Sequence, residues 1–196
     1  MAIYTVDEAQ RKAAKVVGAV YLFGFSAVFD ELYVRGRLIV ENNAAETARN
    51  IIAHERLFRV GIAVDLVEMA SIVLLATALY AILKSVNQNL ALLAALWRLM
   101  EAAICVVMTL SSFDVLRVLS GAEYLRVFEA DRLHALAKIY VGAHGAGYNV
   151  AEMFLGWGST VFACLWFKSG YIPKALAGLG VFASLLVVSL SSFSPV

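Results

Sequence analysis

The hydrophobic and polar positions of this chain form long blocks and do not alternate residue by residue. Five apolar stretches are long enough for membrane helices, since a bilayer core requires roughly 20 helical residues. They are residues 13–33, 58–83, 90–112, 138–167 and 175–193. Because these stretches lack period-two alternation and are rich in Ala and Leu, they favour helices over membrane strands. The pattern predicts an all-α, polytopic transmembrane helix bundle in a single integral membrane domain, residues 1–196.

Two longer polar connections interrupt the apolar blocks, at residues 34–57 and 114–133. In the first, Asn42 and Asn43 favour a helix start, and residues 44–56 have the pattern of an amphipathic helix. The second connection is similar. We therefore predict two short amphipathic helices, both on the outer side of the membrane.

Basic residues near the helix ends predict the orientation. On the amino-terminal face they lie in short segments with few acids: Arg11, Lys12, Lys15, Lys84, Lys168 and Lys174. The basic residues of the other face are diluted by more acids, so we predict a cytoplasmic N-terminus. An alternative is that the basic start and residues 16–29 form a secretory signal, but four further spans favour a retained helix.

Composition agrees with a membrane protein and excludes some other classes. Hydrophobic residues make up 62% of the chain and the mean hydropathy is +0.79, outside the range of soluble domains. A net charge of +1 argues against a nucleic-acid partner, which would require a concentrated basic face. Cys105 and Cys164 have no metal-type spacing, so we interpret them as small apolar side chains and not as a disulfide.

Polar residues within the spans are the strongest functional signal. A charge at the centre of a bilayer costs about 2.5 to 3.5 kcal/mol on insertion scales, so such groups are expected to face one another inside the bundle. The candidate ligand- or ion-binding residues are Asp65, Glu68, Arg98, Glu101, His144, Tyr148 and Glu152. Their positions predict a polar site near the middle of the membrane.

The spacing of these residues divides them into helical faces. Asp65 and Glu68 are three residues apart, as are Arg98 and Glu101, so each pair projects from one face of its helix. His144, Tyr148 and Glu152 recur every four residues and form a stripe.

The charges at this level do not balance. Arg98 is the only basic side chain there, facing Glu68, Glu101 and Glu152. We therefore expect at least one acid to be protonated, hydrated in a cavity or paired with a bound cation.

Several segments resemble a known family. They are HERLFRVGIAVDLV at residues 54–67, NQNLALLAALWRLMEA at 87–102, and HGAGY at 144–148 running on to KSGYIP at 168–173. They resemble the bacterial multi-spanning membrane family catalogued as domain of unknown function 4386, and the likeness covers most of the chain. The resemblance implies an all-helical protein of a bacterial inner membrane, and it implies no established activity, catalytic residue or cofactor.

The residues that match the family pattern include several of the polar positions already selected because a charged or polar side chain is unfavourable within the bilayer. They are Arg59, Asp65, Arg98, Glu101 and His144. Many members have a second histidine where this chain has Gly158. The resemblance therefore does not imply a two-histidine metal or haem site here.

Three functions stay open at this point. The preferred function is the binding of a small ligand, cation or proton at a midplane site. One version of this function adds the passage of that species across the membrane. Glu68, Glu101 and Glu152 would titrate or coordinate there, Arg98 would orient them or receive an anionic group, and Asp65, His144 and Tyr148 would line the approach.

The second function is that of an accessory or scaffolding membrane subunit whose buried charges are structural. The third is a membrane-embedded metal-dependent enzyme. Its candidate metal ligands are Glu68, Glu101, His144 and Glu152. The expected partners are the lipid bilayer and either further copies of the chain or a partner membrane subunit.

Overall fold

A computed structural model describes residues 8–23 and 30–193 of the chain. Its helices are α1 (Glu8–Phe23), α2 (Ala44–Ala53), α3 (Glu55–Leu83), α4 (Gln88–Val118), α5 (Ala130–Ser169) and α6 (Lys174–Phe193). A π-helical segment, Asp30–Arg35, continues into a helical turn, Gly36–Leu38, and a 3₁₀ turn spans Glu123–Leu125. No strand occurs in these two described ranges. The all-α prediction is confirmed.

Within the described residues, four helices are long and apolar enough to cross a membrane. They are α3, α4, α5 and residues Lys174–Ser192 of α6. These helices coincide with the last four predicted spans, and they extend beyond the apolar stretches into polar ends. The first predicted span, 13–33, includes part of α1, but its residues 24–29 lie outside the described residues. The helices support a membrane protein; its compartment and orientation stay predictions.

Short polar residues define several helix ends. Asn43 precedes α2, and its side-chain oxygen accepts a hydrogen bond from the backbone N–H of Glu46 at 3.0 Å. Asn87 does the same before α4, accepting from the N–H of Leu90 at 2.9 Å. Gly170 follows α5 with a φ of +68°, a conformation that glycine adopts without strain. The predicted helix start at Asn42-Asn43 and the stop after α5 are therefore where the sequence indicated.

The second connection differs from the prediction. Residues 114–133 do not form a separate amphipathic α-helix: α4 continues to Val118 and α5 already begins at Ala130. Val115 is fully buried in an apolar cluster, so the packed face of α4 runs on past the predicted end of the span. Gly121, with a φ of +69°, then turns the chain, and only the 3₁₀ turn fits in the remaining segment. Only the first of the two predicted connecting helices, α2, is present as such.

The chain folds as two compact units, which we describe separately. Among the described residues, the cavity unit comprises 8–23, 69–104 and 149–193. The loop unit comprises the described residues 30–68 and 105–148 and therefore contains both long connections. Helices α3, α4 and α5 each contribute to both units.

Each unit has its own apolar core. In the cavity unit, Leu79 and Leu83 of α3 pack with Ala94 of α4 and with Phe162 and Leu165 of α5. In the loop unit the buried cluster is Val34, Leu38, Ile51, Phe58, Ile62, Val115 and Ala137. These cores position the polar residues described next.

Candidate functional site

Arg98 and Glu101 form a buried ion pair on α4, in the cavity unit. Nη1 of Arg98 lies 2.6 Å from Oε2 of Glu101, and the two side chains are only 7% and 5% exposed. Three residues along a helix bring two side chains to one face, as the spacing predicted. A single helix therefore carries both charges and brings them together without any contribution from a second element.

Gly158 of α5 makes room for the Arg98 side chain. A Cβ atom at position 158 would lie 3.0 Å from Cγ of Arg98 and 3.1 Å from the carbonyl oxygen of Ala94. Both distances are shorter than ordinary van der Waals contact, so α4 and α5 pack this closely because residue 158 has no side chain. Gly158 thus has a structural role in the packing of α4 against α5.

A large cavity lies beside this ion pair. Its volume is about 760 Å³, and α1, α3, α4, α5 and α6 all contribute to its wall. Most of the lining is aliphatic or aromatic, with Leu79, Phe162 and Leu179 as examples. Among the described residues that line it, Arg98 is the only charged one, and the serines are Ser159 and Ser184. The cavity is therefore largely apolar, and the described side chains of its wall that carry a hydrogen-bonding group are those of Arg98, Tyr21, Ser159, Trp166 and Ser184.

Helix α1, which forms one side of the cavity, is held by a buried glutamine. Nε2 of Gln10 donates to the carbonyl oxygen of Ile82 at 3.0 Å and to Oγ of Ser85 at 3.1 Å. These contacts attach α1 to the end of α3 and so complete the wall. Sequence reasoning did not select Gln10, although a glutamine just before an apolar span is a visible signal.

Glu152 does not share the Arg98 pair. It is half-buried on α5 and accepts a hydrogen bond from Oγ of Ser191 at 2.7 Å, which connects α5 to α6 within the cavity unit. It precedes Gly158 by six residues, a rise of about 9 Å along the helix. The expected grouping of Glu152 with Arg98 is therefore not found, because a serine of α6 is its partner.

In the loop unit, Asp65 is paired with a residue that the sequence analysis missed. Nη2 of Arg35 donates to Oδ2 of Asp65 at 3.0 Å, and the two side chains are 11% and 8% exposed. Arg35 lies outside the apolar stretches, so its burial was not visible in the hydropathy pattern. The pair joins the π-helical segment to α3.

His144 is the second polar centre of the loop unit. Its Nδ1 atom lies 3.1 Å from Oγ of Ser112 and 3.2 Å from the carbonyl oxygen of Met108. A hydrogen bond to the carbonyl oxygen of Met108 requires a proton on Nδ1, whereas an unprotonated Nδ1 would accept from the hydroxyl of Ser112. His144 thus connects α5 to α4.

The remaining candidates are less enclosed. Glu68 is half-buried and Tyr148 is 45% exposed. Arg59 pairs with Glu55 at 2.7 Å on the exposed face of α3. The seven predicted site residues thus divide between the units: Arg98, Glu101 and Glu152 belong to the cavity unit, and Asp65, Glu68, His144 and Tyr148 to the loop unit.

The two ion pairs leave the charge excess expected from the sequence, that of Glu68, Glu101 and Glu152 over Arg98, unchanged at two acids. Arg98 balances Glu101, and Arg35 balances Asp65, which the sequence analysis had left without a cation. Of the candidate acids, Glu68 and Glu152 remain outside these two ion pairs.

The metal-centre alternative lacks its ligand set. Within the residues that the structure describes, no group of three or more His, Cys, Asp or Glu side chains is arranged to hold a metal ion. Of the candidate ligands, Glu101 pairs with Arg98, Glu152 bonds to Ser191 and His144 bonds to Ser112. These side chains are engaged by protein groups and do not converge.

Comparison with known proteins gives one match. The model of a family described as a domain of unknown function (DUF4386) matches residues 16–195. No curated protein and no solved structure matches the chain. No activity or ligand can therefore be transferred from a relative, and a functional assignment depends on the geometry above.

Proposed function

The chain belongs to the DUF4386 family, and we propose that it binds a small, largely apolar ligand in the cavity of the cavity unit. The observation that carries this proposal is a cavity of about 760 Å³ with the buried Arg98 in an otherwise uncharged wall. Small-molecule sites commonly have volumes of about 300 to 1,000 Å³, apolar walls and a few well-placed polar groups. The cavity has all three properties.

The surrounding residues have separate roles in this proposal. Arg98 supplies the polar contact, and Glu101 orients the guanidinium from one turn further along α4. Gly158 admits the arginine stem between α4 and α5. Gln10 secures α1, which forms one side of the wall. An ionisable residue within a membrane helix raises the free energy of insertion, and contact with a ligand would explain why Arg98 is present despite that cost.

A structural role for the other polar residues is favoured by the loop unit. Asp65 and His144 are both buried, and both bond to side chains of the same unit. Such contacts join segments of the chain and require no ligand. We therefore confine the binding proposal to the cavity unit and treat Asp65 and His144 as residues that hold the loop unit together.

Photolabelling of the purified protein in lipid nanodiscs tests the proposal. A trifluoromethyl-phenyl diazirine is an uncharged, apolar probe that reacts wherever it resides when it is illuminated. We expect labelling of Phe162 and Trp166, which line the cavity, to saturate with probe concentration. Labelling of Leu96, which is exposed on α4 and does not line the cavity, should rise without saturation, as partition into lipid does.

Two variants of α6 make the test specific. Ala183 lines the cavity, so Ala183→Phe should fill part of it and abolish the saturable labelling. Ala175 is exposed on the same helix and does not line the cavity, so Ala175→Phe adds the same side chain without that effect. If labelling of Phe162 and Trp166 does not saturate in the unaltered protein, the cavity is only a lipid-filled groove and the proposal is wrong.

A further inference from the structure

The polar part of the cavity wall has no net charge. Arg98 is the only charged residue among the described lining residues, and its charge is balanced by Glu101 at 2.6 Å. Both side chains are buried, so solvent screens the pair only weakly. If a ligand brought a charged group to this part of the wall, no opposite charge would be left to balance it.

The guanidinium nevertheless has hydrogen bonds to donate. It carries five N–H donors, and its contact with Glu101 is made through Nη1. Within the described part of the chain, the structure gives Arg98 no second polar partner. An oxygen acceptor that reaches this wall from the cavity would therefore meet an available donor.

The three possible charges of a ligand head group have different consequences. An anion would be attracted by Arg98 but repelled by Glu101, and it would leave one net negative charge buried. A cation would face the guanidinium directly and would leave one net positive charge. An uncharged acceptor keeps the net charge at the cavity wall at zero and accepts a hydrogen bond from an N–H group of Arg98.

From this charge balance we infer that the ligand is an uncharged amphiphile. It has a hydrocarbon body that fills the apolar cavity and a carbonyl or hydroxyl oxygen at one end that accepts a hydrogen bond from Arg98. Ketones, esters, quinones and long-chain alcohols share this chemistry. The inference rests on the proposed binding function and adds the class of ligand.

Protection from photolabelling tests the inference with three compounds of equal chain length. Undecan-2-one, undecanoate and undecylamine are compared at equal mole fraction in the nanodisc, so that partition into lipid does not decide the result. We expect the ketone to protect Phe162 and Trp166 at about tenfold lower concentration than either charged compound, because each charged compound would leave one uncompensated charge buried at the wall. Equal protection by all three, or preference for undecanoate, would overturn the inference.

A charge-changing variant provides a sharper test of the same idea. Glu101→Gln removes the negative partner and leaves Arg98 with one net positive charge facing the cavity. The preference should then change from undecan-2-one to undecanoate. If the variant assembles correctly and still prefers the ketone, the balance between Arg98 and Glu101 does not select the ligand.

A second variant covers the case in which Glu101→Gln does not fold. Arg98→Met combined with Glu101→Met removes both charges and keeps the wall neutral, a change that buried ion pairs often tolerate. It should keep saturable labelling and lose the advantage of undecan-2-one over undecane. If the double variant still prefers the ketone, Arg98 does not have the proposed role. If the unaltered protein shows no saturable labelling at all, the proposed binding function itself is wrong.

Discussion

The two units each contain a buried arginine–carboxylate pair, and the pairs are built differently. Arg98 and Glu101 lie three residues apart on α4, so the helix alone brings them together. Arg35 and Asp65 are 30 residues apart, and their contact joins the π-helical segment to α3. The first pair lies within one helix, whereas the second joins two elements.

The surroundings of the two pairs differ as well. Arg98 lies in the wall of a large cavity, whereas Arg35 and Asp65 lie in the unit whose buried cluster includes Val34, Ile62 and Val115. A buried pair that joins elements is adequately explained by the structure it stabilises. A pair formed within one helix, at the wall of a cavity, is better explained by what enters that cavity. This difference is why we assign binding to one unit and structure to the other.

The largest expected effect comes from removing one acid of each pair in turn. Asp65→Ala leaves Arg35 buried without its carboxylate and should lower the free energy of unfolding by about 3 to 5 kcal/mol. Glu101→Ala should cost less, about 1 to 3 kcal/mol, because the side chain of Arg98 lines the cavity, where a ligand can accept its hydrogen bonds. Denaturant unfolding in detergent measures both.

The matched control for Asp65→Ala is the double variant Arg35→Leu with Asp65→Leu, which removes both charges. It should recover most of the lost stability, since no unpaired charge remains buried. Equal losses from Asp65→Ala and Glu101→Ala would remove the distinction between the two units.

A second prediction concerns helix packing in each unit. A Cβ atom at Gly147 would lie 2.8 Å from Cβ of Met108, an atom attached directly to the backbone of α4. Gly147→Ala should therefore destabilise the loop unit by about 1 to 3 kcal/mol, because a backbone must shift. Gly158→Ala should cost less in the cavity unit, because the shortest contacts of a Cβ atom there, 3.0 Å to Cγ of Arg98 and 3.1 Å to the carbonyl oxygen of Ala94, are longer than the one at Gly147.

Gly142 is the control for these substitutions. It lies on α5, and a Cβ atom there would meet nothing within 4 Å. Gly142→Ala should stabilise the helix by about 0.5 to 1 kcal/mol through backbone entropy. Thermal unfolding of the three variants ranks them by stability. A larger loss of stability from Gly158→Ala than from Gly147→Ala would mean that the packing around Arg98 is more rigid than the packing around Met108.

The smallest expected effect concerns the histidine of the loop unit. Ser112→Ala removes the hydroxyl that lies 3.1 Å from Nδ1 of His144 and leaves the carbonyl oxygen of Met108 as its partner. We expect a loss of about 1 kcal/mol in the free energy of unfolding and no change in labelling of the cavity. Ser111→Ala, one residue earlier on α4, is the matched control. Altered protection by undecan-2-one in Ser112→Ala would show that the loop unit affects ligand binding.

Particular residues show how far sequence reasoning reached. The apolar blocks predicted four of the described long helices, because the cost of exposing backbone groups in lipid leaves helix as the main solution for such stretches. Asn43 marked the start of α2, and the spacing of Arg98 and Glu101 predicted their shared face. These features depend on local spacing, which a linear pattern contains.

Other features required contacts between distant segments. Arg35 was assigned to a polar connection, yet it is the partner of Asp65. Glu152 was grouped with Arg98, whereas Ser191 of α6 binds it. The predicted helix in residues 114–133 did not form because burial of Val115 extends α4. Each difference arises from a neighbour that is remote in sequence and close in space.

By itself the sequence determined that this chain is all-helical, where its apolar helices run, and which costly side chains they carry. These properties follow from residue-level hydropathy and the period of the helix, which act over a few residues. Only the tertiary structure decided which charges are balanced and that Arg98 borders a cavity. Both depend on the meeting of several helices, whose side chains define a cavity and pair charges in ways that no single stretch of sequence specifies.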